Sequence, residues 1–289
     1  MISIRKAVIP VAGLGTRFLP MTKAQPKEML PLVDKPVIQY VVEEASRSKI
    51  SNMILITSEG KRSIENHFSR YYELEKLLIM KNRTEDLNQL NWIQSLGEFT
   101  FVSQPEPLGL GHAVLCAEKA VGSEFFALLL GDDIFDPQED ALQALMKAHK
   151  ASGKSVVGVQ EVPKDHVERY GIVNNPDHEK NTYWPVHTII EKPPASNTES
   201  RWAVVGRYIL TPDIFEFLKD TRPGVGGEIQ LTDALSQLAN QGELIACAIP
   251  AKRFDTGNKL DYVKASITFA LKHPEIGSDI SEFLRDLKT

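Results

Sequence analysis

The chain has 289 residues, enough for one large domain or two small ones at roughly 150 residues per domain. Hydrophobic residues make up 42% and charged residues 25%, a globular composition that excludes a disordered or fibrous chain. With 33 basic against 38 acidic residues the net charge is −5, which argues against a general nucleic-acid binder, because non-specific affinity for phosphate backbones comes from excess Lys and Arg. A small anion held by a few local cations remains compatible with it.

The first apolar run, Lys6–Pro10, predicts a strand. A helix is expected over residues 37–48 and a second strand over 53–57. Residues 71–96 carry a helical apolar period at Leu74, Leu77, Leu78, Leu87, Leu90 and Ile93, and 99–103 read as the next strand. A helix over 111–120 leads to a fully buried strand over 125–130, which ends at Gly131-Asp132-Asp133. A helix over 141–151 and a strand over 155–159 follow. This alternation predicts an α/β fold, Rossmann-like, with a central mixed, mostly parallel sheet flanked by helices.

From about Glu161 the texture changes. Pro163, Pro176, Pro185, Pro193 and Pro194 punctuate short strands at Gly171–Asn174, 187–191 and 203–210. No Gly/Ser linker sets this half apart, so the whole chain, 1–289, reads as a single domain with an inserted mixed-sheet half. A last strand over 244–249 precedes helices over Lys259–Lys272 and 281–287. Their apolar residues (Leu260, Val263, Ile267, Leu271, Phe283, Leu284, Leu287) can pack on the core or on another subunit, and periodicity does not separate the two.

No apolar run approaches the ~18 residues a membrane helix needs, so no membrane partner is expected. Arg5 and Lys6 ahead of an apolar stretch faintly imitate a signal peptide. Pro10, Gly13, Gly15 and Arg17 interrupt it too early, and a cytoplasmic protein is expected. Cys116 and Cys247, far apart in apolar contexts, suggest neither a disulfide nor a zinc site.

The strongest chemical signal follows the first strand: Ala12-Gly13-Leu14-Gly15-Thr16-Arg17, then Pro26-Lys27-Glu28-Met29-Leu30-Pro31. A glycine-rich turn lets backbone N–H groups approach phosphates without Cβ obstruction. It is not a dinucleotide fingerprint, since Phe18 stands where a third glycine is needed, and a Walker Gly-Lys-Ser/Thr is absent. Arg17 and Lys27 add two cations suited to a triphosphate. Asp132 ends a buried strand, where open α/β sheets bind their ligands, and carboxylate oxygens suit Mg²⁺. No nucleophile elbow or zincin spacing is present, so covalent catalysis is not expected.

These motifs resemble the sugar nucleotidyltransferases, and within them the bacterial UTP–glucose-1-phosphate uridylyltransferases. The likeness runs through VIPVAGLGTRFLP (8–20), ENHF (65–68), QPEPLGLGHAVLCA (104–117), LLGDD (129–133), YGIV (170–173), EKP (191–193), VVGRYIL (204–210), GEIQLTDA (227–234) and FDTGNKLDY (254–262). It implies attack by the phosphate of glucose 1-phosphate on the α-phosphorus of UTP, giving UDP-glucose and pyrophosphate. Such a step needs cations and a divalent metal more than a covalent nucleophile.

The resemblance makes Arg17, Lys27, Lys192 and Asp132 the catalytic set. It assigns nucleotide binding to Ala12, Gly13, Gly15, Thr16, Glu28, Gln104 and Gly109, and sugar binding to Gly171, Glu191, Lys192 and Gly206. Mg²⁺ falls to Asp132 and Asp255, with Asp133 beside them and His112 in a structural role. Residues 1–160 then form mainly the nucleotide half, 161–258 mainly the sugar-phosphate half, and 259–289 C-terminal helices suited to a homodimer or homotetramer. One departure stands out: many relatives carry Asp before EIQLTDA, where this chain has Gly227. Three alternatives remain open. A thymidylyltransferase would use dTTP with the same sugar phosphate, and the methyl group on its base is worth only about 1–3 kcal/mol of discrimination. A catalytically silent regulatory paralogue would typically lose the Thr-Arg of the glycine loop, which is intact here. An NAD-binding oxidoreductase stands furthest off for want of the third glycine.

Overall fold

The computed structural model describes residues 4–139, 141–174 and 182–287; Pro176 and the chain ends lie outside these. A ten-stranded sheet runs through it: β1 (Lys6–Pro10), β2 (Asn52–Thr57), β3 (Glu98–Ser103), β4 (Phe126–Leu129), β5 (Ser155–Glu161), β6 (Gly171–Asn174), β7 (Tyr183–Pro185), β8 (Thr188–Glu191), β9 (Trp202–Leu210) and β10 (Leu244–Ala248). Along the sheet the order is β7-β10-β5-β9-β4-β1-β2-β3, with β6 paired to β9 and β8 to β6. β4, β1, β2 and β3 are parallel neighbours, as are β5 and β10, whereas β7, β8 and β9 run the other way. The sheet is therefore mixed with most strands sharing one direction, as the alternation predicts.

The central strands are apolar without interruption because both faces are covered. In β1, Ala7 and Ile9 enter one core while Val8 enters the other; in β4, Ala127 and Leu129 oppose Phe126 and Leu128 in the same way. Helices Val37–Arg47 and Ala141–Ser152 cover the first face through Ile38, Val41, Leu142 and Leu145. Helices Leu110–Cys116, Ile214–Asp220 and Leu231–Asn240 cover the second through Val114, Phe215 and Leu235. The apolar period over 71–96 resolves into two helices, Tyr72–Met80 and Thr84–Gln94, divided where Asn82 takes a left-handed backbone (φ 55°). Two small hairpins, Asp133–Phe135 with Arg253–Asp255 and Pro31–Leu32 with Lys35–Pro36, sit beside the main sheet. Among the described residues no helix is long and apolar enough to cross a membrane.

The chain leaves β1, builds β2 and β3 outward on one side, and returns to place β4 on the other. That reversal makes β1 and β4 the switch point at which such sheets open a crevice beyond their carboxyl ends. The glycine-rich loop leaves the end of β1, and Asp132 lies three residues past the end of β4.

Candidate functional site

A cavity of about 680 Å³ occupies the switch point. Its wall includes Ala12, Gly13, Gly15, Thr16, Arg17, Lys27, Glu28, Gln104, Gly109, Asp132 and Lys192. Sequence expectation and structure thus agree that these residues meet. Glu191, Gly171, Asp255 and Gly206 are not among the residues that line it.

The side formed by the glycine-rich loop is a backbone surface whose carbonyls are tied back. Ser58 Oγ donates to the Ala12 carbonyl (3.0 Å), Lys61 Nζ to the Gly13 carbonyl (2.6 Å) and Thr22 Oγ1 to the Gly15 carbonyl (2.7 Å). In a trans peptide the C=O and the following N–H point opposite ways. Drawing those carbonyls away therefore turns the N–H groups of Gly13, Leu14 and Thr16 toward the cavity, an arrangement suited to an anion. Lys61 also pairs with Glu28 at 2.9 Å, both side chains buried. Burial pushes the Glu28 carboxyl above its ordinary range, against the pull of Lys61 and Lys27. Glu28 is thus committed to holding Lys61.

Lys27 Nζ lies 2.5 Å from Asp132 Oδ2. Burial works against both charges, lowering the lysine and raising the acid. Their mutual attraction overrules it, leaving Lys27 above and Asp132 below its usual value. The Asp132 carbonyl accepts from Thr256 N and Oγ1 (2.9 and 2.6 Å), and Arg17 Nη1 donates to the Gly257 carbonyl (3.1 Å). Loop, strand end and hairpin are stitched together by these bonds.

Asp132 and Asp255 converge on Gly257. A Cβ there would meet Asp132 Oδ2 at 2.7 Å and Asp255 Oδ1 at 2.9 Å, so only a glycine leaves this space between the two carboxylates. A cradle of two hard oxygen ligands, without His or Cys, fits Mg²⁺, which fills its remaining positions with water and phosphate. Among the described residues no group of three or more His, Cys, Asp or Glu suits a metal, consistent with so sparse a donor set. Asp133 serves elsewhere: its carboxylate takes the Arg253 Nε–H at 2.6 Å.

Another part of the wall comes from the loop 104–111. Gly109 adopts φ 96°, and a Cβ on it would strike Glu228 Cβ at 2.8 Å and the Ile229 carbonyl at 2.9 Å. Gly111 N donates to the Ile229 carbonyl and Ile229 N to the Leu108 carbonyl, so the EIQLTDA segment clamps this loop. Gly227 lies exposed in the turn before Glu228, with open space around it. Gln104 Nε2 reaches the Gly109 carbonyl at 3.2 Å and His112 Nδ1 at 3.1 Å.

On the opposite side Gly171 and Glu191 are cross-strand partners. Glu191 Oε2 accepts from Thr232 Oγ1 (2.6 Å), and Oε1 pairs with Lys192 Nζ (3.1 Å). Lys192 has a left-handed backbone (φ 45°), costly for a side-chain-bearing residue, and its N–H is held by the Tyr170 carbonyl at 3.0 Å. Gly206 packs against Asp133, since a Cβ on it would lie 2.3 Å from Asp133 Oδ2. Its carbonyl accepts from Leu130 N and Arg207 Nη1, which leaves no lone pair for a sugar.

Sequence reasoning missed the residues behind the wall. Arg207 is fully buried, gripping Glu44 (2.7 Å) and the Asp133 carbonyl (2.8 Å). An arginine inside the apolar run VVGRYIL was the available signal, because such residues are buried only when paired. Lys61, Ser58, Thr22 and Thr232 gave no comparable sign.

The family model for nucleotidyl transferases matches residues 6–271. The UTP–glucose-1-phosphate uridylyltransferase YngB of Bacillus subtilis (strain 168) is 49% identical over 284 residues, covering 98% of this chain and 95% of that protein. A solved UTP-bound UGPase from Acinetobacter baumannii is similar with a TM-score of 0.89 and 40% identity, covering 98% of this chain and 99% of that one. A UDP-glucose pyrophosphorylase complexed with UDP-glucose gives a TM-score of 0.83 and 38% identity, over 93% of this chain and 100% of that one.

Proposed function

The chain belongs to the nucleotidyl transferase family, and from that premise we propose that it transfers the uridylyl group of UTP to glucose 1-phosphate, forming UDP-glucose and pyrophosphate. The observation that carries this reading is the switch-point cavity, where a backbone N–H surface and three cations, Arg17, Lys27 and Lys192, face the Asp132 carboxylate.

Loop N–H groups of Gly13, Leu14 and Thr16 receive the nucleotide phosphates, with Arg17 and Lys27 over the charge that grows as pyrophosphate leaves. Lys192, on its strained backbone beside Glu191, brings the sugar phosphate in, and the sugar meets Glu191 and the backbone at Gly171, while Gly206, its carbonyl already filled, shapes the site by packing against Asp133. The base lies between Ala12, Gln104 and Gly109. Mg²⁺ on Asp132 and Asp255 supplies further neutralisation of phosphate charge when bound. Lys27, whose ammonium rests on Asp132, lines the same cavity and is placed to meet the triphosphate. Among the described residues no Ser, Cys or His lines the cavity, which supports in-line attack on the α-phosphorus by the sugar phosphate itself.

One domain is proposed, with residues 1–160 mainly nucleotide-binding and 161–258 mainly sugar-phosphate-binding, acting in the cytoplasm. The helix Lys259–Lys272 exposes Leu260, Val263, Ile267 and Leu271 along one face, and Phe283 and Leu287 are exposed beyond it. This apolar stripe supports assembly as a homodimer or homotetramer.

The test offers purified protein glucose 1-phosphate, Mg²⁺ and each nucleoside triphosphate in turn, with pyrophosphate release as readout. Release is expected to be fastest with UTP. Faster release with dTTP would replace uridylyl by thymidylyl transfer, and none with any triphosphate would leave a regulatory paralogue.

A further inference from the structure

We infer that His112 is a positioning residue that sets the nucleobase preference of the site by locking the amide of Gln104 in one orientation. The inference rests on the proposed nucleotide reading and deepens it.

Gln104 offers one amide nitrogen with two hydrogens and one oxygen. Its Nε2 lies 3.2 Å from the Gly109 carbonyl, which can only accept, so nitrogen rather than oxygen must face that way. The reversed amide would set two oxygens against each other. The second hydrogen of Nε2 points to His112 Nδ1 at 3.1 Å. For that bond Nδ1 must be the bare nitrogen, which places the ring proton on Nε2, and Nε2 has Cys116 Sγ at 3.9 Å as its neighbour. The Glu106 carbonyl, 3.2 Å from Nδ1, competes for the opposite tautomer. In that tautomer one Gln104 hydrogen would be left pointing at an N–H, in a residue only 8% exposed. The Gly109 carbonyl is itself fixed, since it also caps Ala113 N at 3.1 Å.

Both donors of the amide are therefore spent on the protein, and no described residue donates to Oε1. Gln104 lines the cavity and presents its ligand with an acceptor alone. A base must bring a ring N–H to satisfy it, as uracil and thymine do at N3. Cytosine carries a bare N3 there, and two acceptors would face each other in a buried place. A site built to receive a hydrogen bond rejects the analogue that lacks the donor far more strongly than one that differs by a methyl group. Without His112 the amide can turn over, and discrimination weakens.

The readout is kcat and KM with UTP, CTP and dTTP for wild type, His112→Ala and His112→Asn. An asparagine oxygen stands where Nδ1 stood and can accept the same hydrogen. For His112→Ala, KM for UTP is expected to rise about tenfold with kcat little changed, as for loss of one buried hydrogen bond. The UTP:CTP ratio of kcat/KM should fall about tenfold, while the UTP:dTTP ratio stays fixed because both bases bring N3–H. His112→Asn should restore the UTP:CTP ratio. Equal losses with all three triphosphates, or a UTP:CTP ratio that Asn fails to restore, would overturn the inference and leave uridylyl transfer standing. A wild-type protein that turns over no triphosphate would overturn the functional reading and this inference together.

Discussion

On the wall of the cavity formed by the loop after β1, the atoms offered to a ligand belong mainly to the main chain. The loop after β1 turns its N–H groups inward because Ser58, Lys61 and Thr22 hold three carbonyls from behind. Around Lys192, the offered groups are side chains at the end of a short antiparallel ladder. There Glu191 and Lys192 depend on Gly171 across the strand and on Thr232 from a neighbouring helix. A backbone surface is rigid, and its identity is fixed by what stands behind it. A side-chain surface is tuned one group at a time. The two walls meet at Asp132, which belongs to neither and touches Lys27 of the first.

That contrast can be broken most forcefully where the walls meet. Asp132→Asn and Lys192→Ala should each lower kcat at least ~100-fold in a pyrophosphate-release assay, as expected when electrostatic stabilisation of developing charge is removed. Near-normal turnover in either variant would remove that residue from the reacting centre. Next in size is Lys61→Met, which leaves Glu28 buried without its partner. It should cost about 3–5 kcal/mol in denaturant unfolding. Adding Glu28→Gln should recover much of that stability. It should not recover the KM for UTP, because the Gly13 carbonyl is still untethered. Recovery of both would mean the loop holds its shape without Lys61. The smallest effect is expected from Thr232→Val. Loss of its bond to Glu191 should raise KM for glucose 1-phosphate about fivefold and leave KM for UTP unchanged. An equal rise for both substrates would erase the distinction between the walls.

Legibility in the sequence followed the same division. The glycine loop could be read because backbone approach to an anion demands glycines at fixed offsets, and Asp132 because it follows an unbroken apolar strand. β1 and the helix Lys259–Lys272 match their sequence bounds because apolar periodicity and a clear stop coincide there. The split at Asn82 was hidden, since no Gly or Pro marks it and the apolar period continues across the turn. The sequence pattern does not reveal helices Arg62–Phe68, Ile214–Asp220 and Leu231–Asn240; two are seven residues long, too short for periodicity to speak clearly. Lys61 sits in Ser-Glu-Gly-Lys-Arg, which reads as a solvated turn, and only its contact with Gly13, 48 positions away, reveals its task. His112 and Gln104 lie eight residues apart, and nothing in their spacing shows that one orients the other.

The proposed reaction is a single direct transfer of the uridylyl group, in a cavity that supplies positioning and charge but, among its described residues, no side-chain hydroxyl, thiol or imidazole beyond Thr16. The measurement that tests it most directly is the stereochemical course at the α-phosphorus, followed with one diastereomer of UTP bearing sulfur at that atom and glucose 1-phosphate as acceptor. Formation of the thio-UDP-glucose with inverted configuration is predicted, since one in-line displacement inverts the centre. Retention would require two displacements through a uridylylated residue and would contradict the account, as would the absence of any sugar nucleotide product.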